Sequence, residues 1–265
     1  MTSRAERARS FGAIADDYDR LRPSPPEAAV DWLLPTAGCG AAVDLAAGTG
    51  LLSRMLACKF ERLIAVEPDA RMGAVLRARS PGVRVVQGTG EAIPVAGASA
   101  DGVFVSSAWH WMDPDRAAGE IGRVLREGGR FGVIWTSRDH EVDWLHEVDL
   151  LRALGRDREP RTTEPDGQDA APLRSWRRAA TLPAGGLFGN IETKSFRFTR
   201  VMTIGSFVEM LATYSGAITA SPDDRMAGLA AARAALDERF PGADEIDVPM
   251  RAWCWRADRV ARAAP

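Results

Sequence analysis

A doubly wound α/β sheet is the fold that the 265-residue sequence predicts, and three observations predict it. Short apolar runs alternate with amphipathic stretches between about residues 41 and 135. A glycine turn follows the first of these runs directly. The alternation breaks off after Trp135 and returns near residue 190, as expected of a sheet interrupted by an insertion. Apolar strands joined by helices imply a parallel sheet covered on both faces.

The elements justify this reading in order. "AAVDLA" (41–46) reads as a buried strand running into the turn "AGTG" and the helix "LLSRMLA". "RLIAVE" (62–67) is a second strand, "DARMGAVLRARS" a helix, "VRVVQG" (83–88) a third strand and "ADGVFVSS" (100–107) a fourth. The next helix starts at Asp113 as N-cap with Pro114 in the first turn, and Ile121, Val124 and Leu125 form its apolar face. It is expected to end at "EGG" (127–129), where glycine suits a left-handed cap. "RFGVIW" (130–135) is the fifth strand. The segment 139–190 reads as one helix followed by a polar, proline-interrupted stretch, an insertion or lid. "NIETKSFRFT" is a strand, followed by a helix around 204–213. Ser221, Pro222 and Asp224 start another helix with capping-box-like spacing, and "DVPMRAWCWRA" is the final strand. The expected organisation is N-terminal cap helices over 1–35, a ligand-binding core over 36–138, the lid over 139–190 and completion of the sheet over 191–265.

Composition excludes several classes. Apolar residues at 46%, charged residues at 26% and a net charge of -2 describe an ordinary globular chain. Lysine occurs only at Lys59 and Lys194, and acidic residues are interleaved with the arginines, so no basic block offers itself to nucleic acid or an anionic membrane. No run approaches the roughly 18–20 apolar residues of a membrane span, and the N-terminus lacks a signal-peptide core, so a cytoplasmic location is expected. Cys39, Cys58 and Cys254 have no CxxC spacing, and metal-binding motifs are absent, so no metal is expected.

The glycine turn lies where such a sheet binds its ligand, at the C-terminal end of the first strand. Gly48, Gly50 and Ser53 also approximate a dinucleotide fingerprint, so the turn alone is weakly specific. Asp44 discriminates better. It sits inside the first strand, where a carboxylate is costly unless it has donors to hold. Glu67, at the end of the second strand, is placed to accept from ribose hydroxyls.

Taken together, "VDLAAGTGLLSRMLA", "AVEPDARM", "GTGEAIP" and "LREGGRFGVI" resemble, in order and spacing, the motifs of class I S-adenosylmethionine-dependent methyltransferases of the small-molecule type (methyltransferase type 11). "FGAIADDYDRLRPSPP" resembles the cap helix of that family. "HW" after strand four and "VPMRAWCWRADR" resemble its trans-aconitate methyltransferase-like branch. The resemblance implies a Rossmann-like, mostly parallel seven-stranded sheet with an antiparallel last strand, and S-adenosylmethionine as cofactor with S-adenosylhomocysteine as product. It implies that Asp44, Ala46, Gly48 and Gly50 shape the methionine end, that Glu67 holds the ribose, and that Pro68 and Met72 flank the adenine. Thr89 and the backbone of Gly90 lie at its edge, Glu91 orders that loop, and Ser106 on strand four completes the cofactor-binding set. Ala46 stands where the family usually has a glycine, and Thr89 where it often has an aspartate.

The acceptor side is expected in the loop "SSAWHWMD". His110 is a candidate general base, a cofactor-side wall or a packed ring, and Trp109 and Trp111 are candidate acceptor platforms. Tyr18 and Arg22 are candidates for the methionine carboxylate or an acidic acceptor, with Arg138 and Tyr214 of the same sort. The fourth strand is not followed by the [DN]-P-P-[YFW] pattern used on nucleobase or glutamine amines, which favours a small-molecule acceptor. A non-methylating use of the cofactor, such as cyclisation of its aminobutyrate part, an NAD-linked oxidoreductase and a non-catalytic binding module are the alternatives.

Overall fold

The computed structural model describes residues 10–36, 38–148 and 186–260. Most of the insertion expected over 139–190 therefore lies outside the described residues. Seven strands form one sheet in the order β3-β2-β1-β4-β5-β7-β6: β1 Ala41–Leu45, β2 Arg62–Val66, β3 Arg84–Val86, β4 Ala100–Ser106, β5 Leu125–Arg138, β6 Phe188–Thr203 and β7 Glu245–Arg259. Six strands are parallel and the last is antiparallel, as the sequence predicts. Helices α1 Ala15–Leu21 and α2 Glu27–Leu33 precede β1, α3 Leu51–Leu56 and α4 Ala70–Arg79 follow β1 and β2, and α5 Pro114–Val124 connects β4 to β5. They are followed by α6 Asp143–Glu147, α7 Ile204–Ala212, α8 Ser215–Ile218 and α9 Pro222–Arg239.

The chain divides into two compact units. One is drawn from the described parts of 23–136, 179–196 and 252–265. Its parallel strands are buried on both faces, with Leu45, Val103, Phe104, Phe131 and Trp255 at the centre. Asp113 caps α5 by accepting from the backbone of Asp115 and Arg116, with Pro114 in the first turn. The helix ends at Val124, not at 127–129. Leu125 already pairs with Ala100, and the register then jumps so that Gly102 faces Arg130. The residues between bulge out of the ladder, and Gly128, at φ +73°, serves that bulge instead of a helix cap.

The other unit is drawn from the described parts of 1–22, 137–178 and 197–251. Trp144, Phe207, Met210, Leu236 and Met250 build its core, and α7 packs against α9 and α1. Ser221 caps α9 by accepting from the Asp224 backbone at 3.2 Å, and Pro222 occupies the first turn. Arg251, only 5% exposed, is matched by Asp139 and Glu141, and Arg197 reaches the same two carboxylates. No helix among the described residues is long and apolar enough to cross a membrane.

Candidate functional site

The strand order reverses between the parallel neighbours β1 and β4, the point at which open α/β sheets bind ligands beyond the strand ends. Asp44 aligns with Ala65 of β2 and with Phe104 of β4. The glycine turn after β1 and the "SSAWHWMD" loop after β4 therefore leave neighbouring strands at the same sheet edge.

Three left-handed residues make the turn: Ala46 at φ 54°, Gly48 at 59° and Gly50 at 88°. At Gly50 a side chain is excluded twice, by its φ and because a Cβ would lie 2.8 Å from Leu76 Cγ. Met72, buried on α4, lies beneath Gly48. Glu67, 7% exposed, ties the turn to β2. Its Oε2 accepts from Gly48 N and its Oε1 from Asp69 N, both at 2.8 Å. Burial raises its pKa, and these two bonds offset only part of that. Each carboxylate oxygen keeps a further lone pair for a ligand hydroxyl.

Asp44 is fully buried. Its Oδ2 accepts from Ser53 Oγ on α3 at 2.5 Å, while Oδ1 has no hydrogen-bond partner among the described residues. Burial pushes the carboxyl up to about 7, and the charge of Glu67 acts in the same sense against the Ser53 bond. A buried acceptor without a donor is costly, and a ligand ammonium at Oδ1 would satisfy it. Ser53 went unnoticed in the sequence in this role, although it faces the strand from the first turn of the helix.

The remaining predicted residues separate. Pro68 and Thr89 are exposed, and the Thr89 backbone exchanges hydrogen bonds with Ala92. Gly90 is buried where a Cβ would meet Met112 Sδ at 2.5 Å. Glu91 accepts from Asp113 N at 2.8 Å, so it anchors the start of α5 to this loop. Ser106 ends β4 opposite Ile134, half-buried. Ser107 follows at φ 53° with its N–H on the Ile134 carbonyl.

Trp109, His110 and Trp111 form one 3-10 turn that sends neighbouring rings in different directions. The expectation that Trp109 is an acceptor platform is corrected: its ring is 2% exposed, edge-on to Phe131 and Trp255 in the core. His110 stacks on Trp135 at 4.4 Å and tilts against Trp111 at 4.3 Å, both half-buried. Trp135 is a partner that sequence reasoning missed, because it comes from the next strand.

The second unit gathers the four acid-binding candidates, which lie far apart in the chain. The Arg22 guanidinium lies 4.0 Å from the Tyr214 ring centroid and 5.1 Å from that of Tyr18, and Arg138 lies 5.3 Å from Tyr214. With 4.0 and 5.3 Å to one centroid, the two charges are at most 9.3 Å apart. At an effective dielectric near 20 they repel by about 2 kcal/mol or more. Burial alone would raise the Tyr214 phenol, but the charges of Arg22 and Arg138 prevail and its pKa is lowered.

Residues 43–133 match the family model described as a methyltransferase domain. An uncharacterized methyltransferase of Mycobacterium tuberculosis is 37% identical over 82% of this chain and 81% of its own length. The chain belongs to the methyltransferase family. The solved structure of a provisionally assigned type II methyltransferase from Anaeromyxobacter dehalogenans superposes on it with a TM-score of 0.68, at 29% identity, over 91% of this chain and 99% of that one. A malonyl-[acyl-carrier protein] O-methyltransferase of Methylococcus capsulatus is 36% identical over 46% of this chain and 48% of its own. The methyltransferase is an S-adenosylmethionine-dependent enzyme, and the unmet Asp44 oxygen beside the glycine turn fits a cofactor that carries an ammonium group.

Proposed function

We propose that this methyltransferase moves the methyl group of S-adenosylmethionine to a small-molecule acceptor. The observation that carries this reading is Asp44, a buried carboxylate with one oxygen unmet at a turn made of left-handed residues. When bound, the cofactor supplies an electrophilic methyl carbon: the acceptor lone pair bonds to it as the carbon–sulfur bond breaks, that electron pair stays on sulfur, and S-adenosylhomocysteine leaves.

The chain's own residues bind and align. Asp44 holds the ammonium, and Ser53 keeps the carboxylate oriented. Glu67 accepts from the ribose hydroxyls while closing the turn through Gly48. Met72 and Pro68 flank the adenine, with Thr89 and Gly90 at its edge. Ser106 and the 107–111 loop bound the acceptor side. His110 is a wall and orienting group there, because indoles on two of its sides fix the ring plane. Alignment of this kind supplies much of the acceleration of an in-line displacement. The malonyl-[acyl-carrier protein] O-methyltransferase relative supports oxygen as the receiving atom.

The test is incubation of the full chain with methyl-labelled S-adenosylmethionine and a small-molecule cell extract, followed by mass spectrometry. Label in a small molecule with matching release of S-adenosylhomocysteine is expected. Release of methylthioadenosine instead would make the enzyme a cyclase of the aminobutyrate part, and retention of all label in intact cofactor would leave a binding module. His110→Ala is expected to lower kcat by no more than about 10-fold, whereas loss of a general base costs about 100-fold or more.

A further inference from the structure

Arg138 is 5% exposed, and its Nε and Nη1 are buried with no hydrogen-bond acceptor among the described residues. Arg22 Nη1 is unmet in the same way, and Tyr214 Oη, which the side chains of Ser137 and Arg138 approach, makes no hydrogen bond of good geometry among the described residues. No acidic side chain among the described residues pairs with either arginine. The neighbouring carboxylates are committed elsewhere: Asp139, next in the chain, is held by Arg251 and Arg197. Arg251, as deeply buried in the same unit, has two carboxylates against it, so the unit does not leave buried arginines unpaired as a rule. Two cations on one tyrosine ring, with donors unmet and no acid between them, describe half of an ion pair whose other half is brought by a ligand.

We propose that Arg22, Arg138 and Tyr214 form an oxyanion-recognition site that seats the free carboxylate or phosphate of a small acidic ligand. The ring centroid of Tyr18 lies 5.1 Å from the Arg22 guanidinium. A net-negative ligand of this kind meets both guanidiniums with net attraction, whereas S-adenosylmethionine is already net positive and is repelled by them.

The test uses the full chain saturated with S-adenosylhomocysteine, titrated calorimetrically with malonate and, separately, with inorganic phosphate. The wild type is expected to bind at least one of them at millimolar concentration or below, and the preferred probe distinguishes a carboxylate from a phosphate ligand. Arg138→Met and Arg22→Met are each expected to weaken that binding at least 10-fold while changing the S-adenosylmethionine Kd less than 3-fold. Tyr214→Phe, which keeps the ring and removes only the hydroxyl, is expected to weaken it about 3-fold and guards against a methionine variant that fails to fold. Absence of binding by both probes, or binding indifferent to all three substitutions, overturns the site. A rise of 10-fold or more in the S-adenosylmethionine Kd of Arg138→Met also overturns the assignment, because the occupant is then the cofactor's carboxylate. Cofactor binding and S-adenosylhomocysteine release by the wild type, measured in parallel, separate failure of this site from failure of the methyltransferase reading.

Discussion

Asp44 in one unit and the Arg22–Arg138 pair in the other are buried charged groups with opposite deficits. Asp44 has an acceptor oxygen without a donor, and the arginines have donor nitrogens without an acceptor. Arg251 is the reference for a buried charge that the chain completes by itself, through Asp139 and Glu141. The difference separates structure from binding. A buried charge matched within the fold holds elements together, whereas one left half-matched is stabilised only when a ligand of the complementary chemistry arrives. The two deficits call for ligands of opposite charge, an ammonium-bearing cofactor at Asp44 and an acid at the arginines.

Asp44→Asn breaks the comparison most directly, because it keeps the shape and removes the charge. Loss of a charge-assisted bond, worth about 2 kcal/mol, is expected to raise the S-adenosylmethionine Kd about 30-fold, checked by calorimetry at pH 8. The pH dependence follows from the same group. Its folded pKa, about 7, lies above the ordinary value of 3.8, so the fold favours the protonated form. That stabilisation is complete below about pH 4 and is lost as pH rises through about 7. The melting temperature of the ligand-free protein is expected to fall between pH 5 and pH 8, and Asp44→Asn to flatten that decline. Cofactor affinity runs the opposite way and weakens as pH falls below 7, since a protonated Asp44 no longer offers its charge to the ammonium. Parallel pH trends in stability and affinity would refute this role.

Glu67→Gln sharpens the contrast by a smaller step. Glu67 is partly matched within the fold, through Gly48 and Asp69, and partly available to a ligand. A loss of about 10-fold in cofactor Kd is expected, with a modest loss of stability as the bond to Gly48 N or Asp69 N weakens. A stability loss with unchanged Kd would place Glu67 with Arg251, as a residue that serves the fold alone.

How far such roles can be read from the sequence depends on whether the deciding contact is local. The Asp113 and Ser221 caps are local, since the accepting side chain and the donor amides lie within three residues, and both were legible. The end of α5 was not, because the pairing of Leu125 with Ala100 is a cross-strand fact that outweighs the glycine signal at 128–129. The types of the acid-binding candidates stood out, yet nothing in the order of residues places Arg22 over the ring of Tyr214. Trp109 and Trp111 look equivalent in sequence, and the tight turn sends one into the core and the other to His110. Asp44 announced itself because a carboxylate inside an apolar strand is anomalous wherever the strand lies. Its partner Ser53 was hidden by being an ordinary helix residue.

The smallest expected effect concerns the backbone beneath both Asp44 and Glu67. Ala46 holds φ 54° two residues after Asp44. An L-residue in that region costs roughly 1–2 kcal/mol, and glycine removes the cost while adding about 0.5–1 kcal/mol of unfolded-state entropy. Ala46→Gly is therefore expected to stabilise the protein by about 1 kcal/mol or less, measured by denaturant unfolding. If the turn is held rigid by Gly48 N on Glu67 and by Ala47 N on the Val66 carbonyl, cofactor affinity changes less than 3-fold. A larger loss of affinity without loss of stability would mean that the alanine methyl, and not only the turn's backbone, sets the distance at which the ligand meets Asp44.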